Sequence, residues 1–419
     1  MPRRVDAQVV VVGGGPAGMA AALSAFESGA YPVFLLERGK HLGGILNQCI
    51  HPGFGLHLFG EELTGPEYAE KFIERLAKSR VEVLLETTVL EITADRVVKA
   101  VNAQGVFEFR AQNVILGMGC REKTRGMLRI PGHRPAGIFT AGLAQYLVNI
   151  EGYLPGKEVV ILGSGDIGLI MARRLALEGA CVKAVVEIKD SLSGLLRNYV
   201  QCLLDFDIPL LLSHTVTNIV GRERIEGVVV SKVNGNGEVV SGSERFMECD
   251  TLLLSVGLIP ENELSKNAHI PLCPFTGGPL VDEYFSCDRE GFFACGNVVA
   301  VFDLVDYVTV VSEMVGKKVG VSAPKRRVRY FLTPTSGVSQ VVPQRIQEGK
   351  EGFLFLRSQH GFHDAHLVFS FQEKIFQTME LPLCYPSEMI KINLQDINWP
   401  SGEGEIQLSI KGEKICGIR

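Results

Sequence analysis

The sequence lacks several features that mark common classes of site. None of its ten cysteines forms a Cys-x-x-Cys pair, and closely spaced ligand pairs are typical of structural zinc and iron–sulfur sites, so no metal site is predicted. It also lacks a basic excess, because 42 lysines and arginines face 47 acidic residues and leave a formal net charge of −5. This charge argues against a protein that binds nucleic acid. Scattered cysteines without tight pairs are typical of reduced, mostly buried thiols, which favours a cytoplasmic protein.

Charge is also missing from the apolar N-terminus. Residues 7–26 contain no charged side chain, and such a run can pass for a signal peptide or a membrane span. Its glycines and its proline fall in a fixed order at the middle of the run, however, and that order favours a strand, a turn and a helix. We therefore predict no membrane span.

The length and composition bound the architecture. A chain of 419 residues suits two or three domains. Hydrophobic content of 46%, charged content of 21% and 46 glycines are typical of an α/β protein with many tight turns.

The first chemical motif follows a β-branched run at 8–12. A strand this apolar belongs in a parallel sheet that is covered on both faces. The loop 13–18 then reads Gly-Gly-Gly-Pro-Ala-Gly and opens an alanine-rich helix. In such a GxGxxG loop the first glycine permits the tight turn, the second lets a pyrophosphate approach the backbone, and the third lets the helix pack on the strand. The free N–H groups at the start of the helix favour an anion.

An acidic residue completes this motif. The next strand ends at Glu37, nineteen residues after Gly18, where a carboxylate can accept the ribose hydroxyls of an adenosine. GxGxxG alone is a weak signal, but a strand before it, a helix after it and an acid at this spacing make it strong. We call residues 13–18 and Glu37 the first cradle.

The same arrangement occurs a second time. A strand at 158–162 precedes Gly163, Gly165 and Gly168, a helix follows, and the next strand ends at Glu187, again nineteen residues after the last glycine. We call residues 163–168 and Glu187 the second cradle. Two such motifs predict two nucleotide cofactors, one per domain. The alternative is a second domain that has lost its ligand and remains only for packing.

With these motifs the chain resembles the pyridine-nucleotide–disulfide oxidoreductase-like flavoproteins. Three further segments fit the resemblance: "VILGMGCRE" at 114–122 and "LLLSVGLIPEN" at 252–262 look like the two crossovers between domains, and "GFFACGNVV" at 291–299 looks like the late FAD motif. In that family the N-terminal motif binds FAD and the inserted one binds NAD(P).

The resemblance implies the fold and its domains. We expect an α/β protein with two Rossmann-like domains, the second inserted in the first, and a small C-terminal β-rich domain. The FAD-binding domain would comprise 1–122 and 253–325, the NAD(P)-binding domain 123–252, and the β-rich domain 326–419. Alternating patterns and many phenylalanines after 331 suggest a sandwich, either a docking surface for partners or a lid on the FAD domain.

The resemblance also implies the cofactor-binding residues. For FAD they are Gly13, Gly15, Pro16, Ala17, Gly18, Glu37, Arg38, Gly43, Gly44, Ile45, Leu46, Val89, Gly117, Met118, Gly119, Gly296 and Asn297. For the nicotinamide nucleotide they are Gly163, Gly165, Asp166, Ile167, Gly168 and Glu187, with Gly257 at the return crossover. Asn297 departs from the family's usual aspartate, but its amide can still bond a ribitol hydroxyl.

The choice between NAD and NADP depends on Glu187. An acid at the end of this strand favours a ribose diol and repels a 2′-phosphate, so NAD is expected. Lys183 and Lys189 flank Glu187 and leave NADP as the alternative.

Cys49 is the candidate catalytic residue outside the cofactors. Disulfide members of the family carry a second cysteine within the same loop, and here the loop has Cys49 alone. Cys49 is therefore either a lone reactive thiol or a small apolar wall against the flavin ring. His51 and His57 could position a substrate or simply bond the backbone. Because the loop has one cysteine and the chain has no Cys-x-x-Cys pair, a dithiol relay is not expected. The flavin is then the redox centre, and the resemblance implies hydride exchange between it and the nicotinamide.

A narrower resemblance concerns partners. The segments 43–55, 140–149 and 295–317 are similar to the FAD/NAD subunits of multi-component dehydrogenases, such as the alpha subunits of hydrogen cyanide synthase and of opine and amino-acid oxidases. They are also similar to a short form that accompanies a glycerol-3-phosphate dehydrogenase-like flavoprotein. This implies an electron-transfer subunit with a second flavoprotein and, in some assemblies, an iron–sulfur protein. The alternatives are a stand-alone flavin amine or hydroxy-acid dehydrogenase and a structural subunit whose flavin never turns over.

Overall fold

The computed structural model describes residues 2–320 and 327–415. Cys416 and the predicted boundary between 325 and 326 lie outside these residues. The chain divides into two compact units. The first unit comprises the chain up to Cys120 with Pro260–Tyr385 and Met389–Glu413, and the second comprises Arg121–Ile259 with Pro386–Glu388.

The N-terminal part of the first unit is a twisted sheet with two helices. Its elements are β1 (Arg3–Val12), α1 (Pro16–Glu27), β2 (Val33–Leu36), β3 (Pro52–Phe54), β4 (Leu63–Thr64), α2 (Gly65–Ala77), β5 (Glu82–Leu84), β6 (Thr88–Ile92), β7 (Val97–Asn102) and β8 (Gly105–Leu116). The sheet order is β5-β2-β1-β8-β7-β6. Strands β5, β2, β1 and β8 are parallel, and β6 and β7 add an antiparallel meander.

The N-terminal apolar run forms β1 and α1, as its glycine order predicts. Val9, Val10 and Val11 are fully buried in the sheet, which explains why the strand carries no polar alternation. No helix in the described part of the chain is long and apolar enough to cross a membrane.

The second unit repeats this construction. Its elements are β9 (Cys120–Glu122, which begins in the first unit), α3 (Arg125–Leu128), β10 (Ile138–Thr140), α4 (Ala141–Asn149), β11 (Glu158–Leu162), α5 (Asp166–Leu177), β12 (Cys181–Glu187), α6 (Leu196–Cys202), β13 (Leu210–Leu212), β14 (His214–Val220), β15 (Gly227–Lys232), β16 (Arg245–Glu248) and β17 (Thr251–Leu254). A parallel sheet has the order β10-β17-β11-β12-β13, and β14-β15-β16 is an antiparallel meander.

The chain then returns to the first unit. The elements of this return are β18 (Leu258–Pro260), α7 (Glu263–Asn267), β19 (Phe292–Ala294) and α8 (Val305–Gly320). Strand β19 pairs in parallel with the carboxyl half of β8. Helix α8 packs on α1, where Ser24 Oγ donates to Glu313 O over 2.8 Å. The late motif therefore lies beside the glycine loop of the first cradle.

The C-terminal part is a β-sandwich. Its strands are β20 (Tyr330–Pro334), β21 (Val338–Val342), β22 (Arg345–Ile346), β23 (Phe353–Ser358), β24 (Gly361–Phe371), β25 (Lys374–Cys384), β26 (Met389–Asn393) and β27 (Gly404–Ile415). One sheet has the order β22-β20-β27-β24-β25 and the other β21-β23-β26. Their inner faces share one hydrophobic core. The predicted α/β fold with a β-rich C-terminal part is confirmed.

The sandwich is anchored to the rest of the first unit through a buried acid. Glu283 is 0% exposed, and its carboxylate accepts backbone N–H bonds from Gln347, Glu348 and Gly349 at distances between 2.8 and 3.4 Å. Phe355 also packs edge-on against Phe302 with ring centroids 5.2 Å apart. These contacts agree with the lid interpretation of the sandwich.

Candidate nucleotide-binding sites

The glycine loop of the first cradle brings three backbone segments into contact. Gly13 has φ +105°, and a Cβ there would lie within 2.9 Å of the carbonyl carbon of Gly117. A Cβ on Gly18 would collide with Gly13 O. These glycines are required for the close approach of β1, α1 and β8.

Gly15 is different because its surroundings are open. The nearest heavy atom to a Cβ at Gly15 would be Gly44 Cα at 4.0 Å. The N-terminus of α1 has no side-chain cap, and Pro16 occupies its first turn. The N–H groups of this turn thus have no side-chain partner, and the space beside Gly15 is open, an arrangement that fits a pyrophosphate.

Glu37 lies at the strand end that the spacing predicts. Its Oε2 accepts from Gly14 N and its Oε1 from Gly39 N, both over 2.6 Å. Each oxygen retains one free lone-pair position, which fits the two hydroxyls of a ribose. Thr87 N donates to Glu37 O over 2.8 Å, so the segment that leads to Val89 borders the same edge. Arg38 follows Glu37 and is exposed.

The loop after Glu37 supplies an apolar surface. Gly43 turns the chain at φ +108°, Leu46 is buried, and Ile45 is 59% exposed. Cys49 is half-buried, and its Sγ donates to Ile45 O over 3.3 Å. Burial raises the pKa of the Cys49 thiol to about 12, so the reactive thiolate is disfavoured at neutral pH. This environment fits the wall interpretation of Cys49 better than the reactive-thiol interpretation.

The late motif closes the other side of the first cradle. Gly296 has φ +73°, and a Cβ there would meet the Ala17 side chain at 2.7 Å. The Asn297 amide is held by the protein, because its Oδ1 accepts from Phe302 N over 3.0 Å and its Nδ2 lies 3.6 Å from the sulfur of Cys120. The crossover residues Gly117, Met118 and Gly119 follow directly after β8. The structure thus brings the predicted FAD residues to one edge of the sheet.

Two acids at the start of α8 bind neighbouring segments. Asp306 Oδ2 accepts from His57 N, and Asp303 Oδ2 accepts from Met389 N, each over 2.9 Å. They join the Cys49 loop and the sandwich to α8. No local signal in the sequence points to these partners, which lie 249 and 86 residues away along the chain.

The second cradle has the same backbone geometry. Gly163 has φ +101°, and a Cβ on Gly168 would lie 2.7 Å from Gly163 O. Ser255 Oγ would lie 3.7 Å from a Cβ on Gly165, and this buried hydroxyl has no hydrogen-bond partner among the described residues. The loop is thus lined by a polar atom that a bound nucleotide or water would satisfy.

Glu187 is more enclosed than Glu37. It is 4% exposed, its Oε1 accepts from Lys189 N over 3.0 Å, and its Oε2 accepts from both Ser164 N and Ser164 Oγ, over 2.9 and 2.6 Å. The hydroxyl of Ser164 is an addition that the first cradle, with Gly14 there, does not have.

Other predicted residues of the second cradle bind their own chain. The Asp166 carboxylate, in the first turn of α5, accepts from Leu195 N over 2.8 Å and from Asn198 Nδ2 over 2.6 Å. Ile167 follows it in the same turn. Gly257 has φ +99° and lies beside the Lys123 side chain.

The two lysines that flank Glu187 differ in position. The Lys183 ammonium pairs with Glu158, which begins β11, so Lys183 lies toward the amino ends of the strands and away from the glycine loop. Only Lys189 remains beside the cradle. The basic pair proposed for a 2′-phosphate is therefore not assembled.

Comparison with known proteins agrees with this geometry. A family model described as "Pyridine nucleotide-disulphide oxidoreductase" matches residues 7–317. A component of the alkyl hydroperoxide reductase of Pseudomonas aeruginosa is 28% identical over 315 residues, which cover 70% of this chain and 53% of that protein. A component of the opine oxidase of Agrobacterium tumefaciens is 26% identical over 278 residues, which cover 62% of this chain and 54% of that one. The chain thus spans about half the length of these relatives.

A solved structure shows the same fold. The crystal structure of T. acidophilum thioredoxin reductase matches with a TM-score of 0.61 and 23% sequence identity, and the match covers 75% of this chain and 98% of that one. The C-terminal sandwich lies outside the family model, which ends at residue 317.

Proposed function

The chain belongs to the pyridine nucleotide-disulphide oxidoreductase family, and from this membership we propose that it exchanges hydride between NAD(H) and FAD without a redox disulfide and passes the electrons to a second protein. Membership of this family identifies the chain as an oxidoreductase with FAD and a pyridine nucleotide as its cofactors. The substrate, the electron acceptor and the partner belong to the proposal.

The observation that carries the proposal is the pair of cradles. In the first, the open space beside Gly15 receives the FAD pyrophosphate, Glu37 accepts the ribose hydroxyls, and the loop from Ile45 to Cys49 excludes water from one face of the ring. In the second, Gly165 and Glu187 hold the nicotinamide nucleotide. When bound, NADH supplies a hydride and FAD supplies the ring that accepts it.

The state of Cys49 supports a route without sulfur. A thiol acts as a redox nucleophile through its thiolate, and a pKa of about 12 leaves little thiolate at neutral pH. The Cys49 loop contains no second cysteine. Cys49 therefore serves as a wall of the flavin site.

NAD is the proposed nucleotide. Glu187 places a carboxylate where NADP would place its 2′-phosphate, and Lys183 is paired with Glu158 instead of lying at the cradle. A single lysine, Lys189, does not offset the repulsion between the two anions.

We further propose that the partner is a second flavoprotein. The opine oxidase relative is named as one subunit of its enzyme, and the narrower resemblance of the loop 43–55 agrees with such an assembly. The described residues contain no group of three or more side chains that could bind a metal, so any iron–sulfur centre would come from a partner. The nine cysteines in the described ranges form no disulfide with one another, which fits a cytoplasmic location.

An anaerobic titration tests the proposal. NADH should bleach the visible absorbance of the flavin in the purified chain, and NADPH should do so far less effectively. Yellow protein that NADH fails to bleach would establish the alternative of a purely structural role. Turnover of the isolated chain with an amine or a hydroxy acid would establish the stand-alone dehydrogenase.

A further inference from the structure

We propose that Ser164 restricts the second cradle to one ribose hydroxyl and is thereby a specificity-determining residue for the nicotinamide nucleotide. The inference depends on the proposed function, because it assumes that the adenosine ribose of NAD(H) meets Glu187. It rests on the number of hydrogen bonds that the protein itself donates to each cradle carboxylate, which is two at Glu37 and three at Glu187.

The two carboxylates share a common frame. Each accepts one backbone N–H from the residue after the first glycine of its loop, Gly14 or Ser164, and one from the residue two positions after the acid, Gly39 or Lys189. These bonds are both 2.6 Å long at Glu37 and are 2.9 and 3.0 Å long at Glu187. Up to this point the two cradles are equivalent.

The serine hydroxyl breaks the equivalence. Ser164 Oγ donates to Glu187 Oε2 over 2.6 Å, on the same oxygen that accepts from Ser164 N. A carboxylate oxygen has two lone-pair positions, so Oε2 is fully used and only one position remains, on Oε1. Glu37 keeps one position on each oxygen, because Gly14 has no hydroxyl to donate.

The hydroxyl is also fixed in place. Ser164 is 0% exposed, and its Oγ accepts from Ser193 N over 3.0 Å while it donates to Glu187. Rotation of the side chain would break both bonds and leave the half-buried Ser193 N–H without this partner, which is unfavourable. The ribose therefore cannot displace the hydroxyl cheaply, and the second cradle binds one ribose hydroxyl where the first binds two.

Nucleotide analogues separate this role from a structural one. The probes are NADH and its two analogues in which the adenosine ribose lacks the 2′- or the 3′-hydroxyl. The readout is the dissociation constant by anaerobic calorimetry on the FAD-loaded full chain, with the flavin reduced beforehand by dithionite so that no hydride is transferred. For the unmodified protein, one analogue should bind within about 2-fold of NADH and the other about 10-fold more weakly, since a hydrogen bond to a charged group contributes at least that factor.

The Ser164→Gly variant should change the pattern. Its second cradle would copy the first, so both analogues should bind about 10-fold more weakly than NADH. Ser164→Ala also removes the hydroxyl and provides the same test if the glycine variant does not fold, and melting temperatures with FAD bound identify that case. Ser164→Thr keeps a hydroxyl and is expected to retain the one-hydroxyl pattern.

Two outcomes would overturn the inference. An unmodified protein that loses about 10-fold on removal of either hydroxyl would show that Glu187 already accepts both. Variants without the hydroxyl that keep the original pattern would show that Ser164 does not control the ribose. Failure of NADH to bind any form while FAD is retained would overturn the proposed function together with the inference, so the two failures are distinguishable.

Discussion

The first and second cradles have the same backbone construction, but different side chains lie at their helix N-termini and carboxylates. Both have three glycines that close a strand–helix turn and an acid nineteen residues later. The first leaves its helix N-terminus and two carboxylate positions open, with Pro16 in the first turn. The second places Asp166 in the first turn of α5 and Ser164 against Glu187. The glycines thus determine the backbone, and the residues between them determine what a ligand meets.

The largest effects are expected from glycine substitutions that each block nucleotide binding at one cradle and leave the other intact. A valine at Gly18 would collide with Gly13 O, and one at Gly168 would lie 2.7 Å from Gly163 O. Gly18→Val should therefore abolish FAD binding, and Gly168→Val should abolish NADH binding while the protein stays yellow. The ratio of flavin to protein absorbance and an NADH titration measure the two effects. A Gly18→Val protein with the normal flavin content would contradict the assignment of the first cradle.

The next comparison replaces each acid by its amide. Either amide sets an NH2 group against a backbone donor, because both oxygens of each carboxylate accept an N–H. Glu37→Gln removes the charge that holds two ribose hydroxyls, so FAD affinity should fall about 100-fold. Glu187→Gln should weaken NADH binding about 10-fold, because only one hydroxyl is held. Dissociation constants of the apoprotein for FAD and of the holoprotein for NADH provide the measurements. Equal losses at the two positions would argue against the difference between the cradles.

The pH dependence of stability should differ between the two units. Burial raises the pKa of Asp282, in the first unit, to about 6. A raised carboxyl pKa favours the protonated folded form, so this contribution falls as pH rises from about 4 to about 6. In the second unit, burial acts to raise the pKa of Asp250, but backbone N–H bonds from Lys157 and Glu158 outweigh it and the pKa is lowered. Its contribution is instead lost as pH falls below about 4.

Urea denaturation at several pH values measures both effects. Asp282→Asn should remove the decline of about 3 kcal/mol between pH 4 and pH 6. Asp250→Asn should flatten the loss on the acidic side. An unchanged pH profile in the Asp282→Asn variant would show that burial at this position does not control the stability.

The smallest expected effect concerns Cys49. Cys49→Ser keeps a donor for Ile45 O, so the rate of flavin reduction by NADH should change by less than about 3-fold. Stopped-flow absorbance measures this rate, and Cys120→Ser, at a second half-buried thiol, is the matched control. Loss of electron transfer in Cys49→Ser but not in Cys120→Ser would show that the Cys49 thiol takes part in electron transfer.

Much of this architecture could be predicted from the sequence. Glycine positions, strand composition and the spacing to Glu37 and Glu187 are local signals, and they identified both cradles. The roles of residues whose partners lie far away along the chain could not be predicted. Ser164 bonds Glu187 across 23 residues, and Asp166 bonds Asn198 across 32, so neither bond leaves a trace in the motif. Lys183 was considered for a phosphate because it is near Glu187 in sequence, but its position along β12 pairs it with Glu158.

In the C-terminal sandwich, too, local features could be predicted from the sequence and bonds between distant residues could not. Its alternating patterns predicted strands, but the bond between Glu283 and the amide of Gln347 spans 64 residues. Likewise, the burial that raises the pKa of the Cys49 thiol could not be predicted from the sequence of the loop alone.

The anchor at Glu283 has a consequence for any shortened form of the chain. Val342, Phe355 and Met389 of the sandwich share a core with the sheet of the first unit, and Glu283 has its bonding partners on the appended side. Deletion of the sandwich would therefore uncover these apolar side chains and leave the Glu283 carboxylate without its N–H donors. A chain cut before the sandwich is expected to be less stable for both reasons.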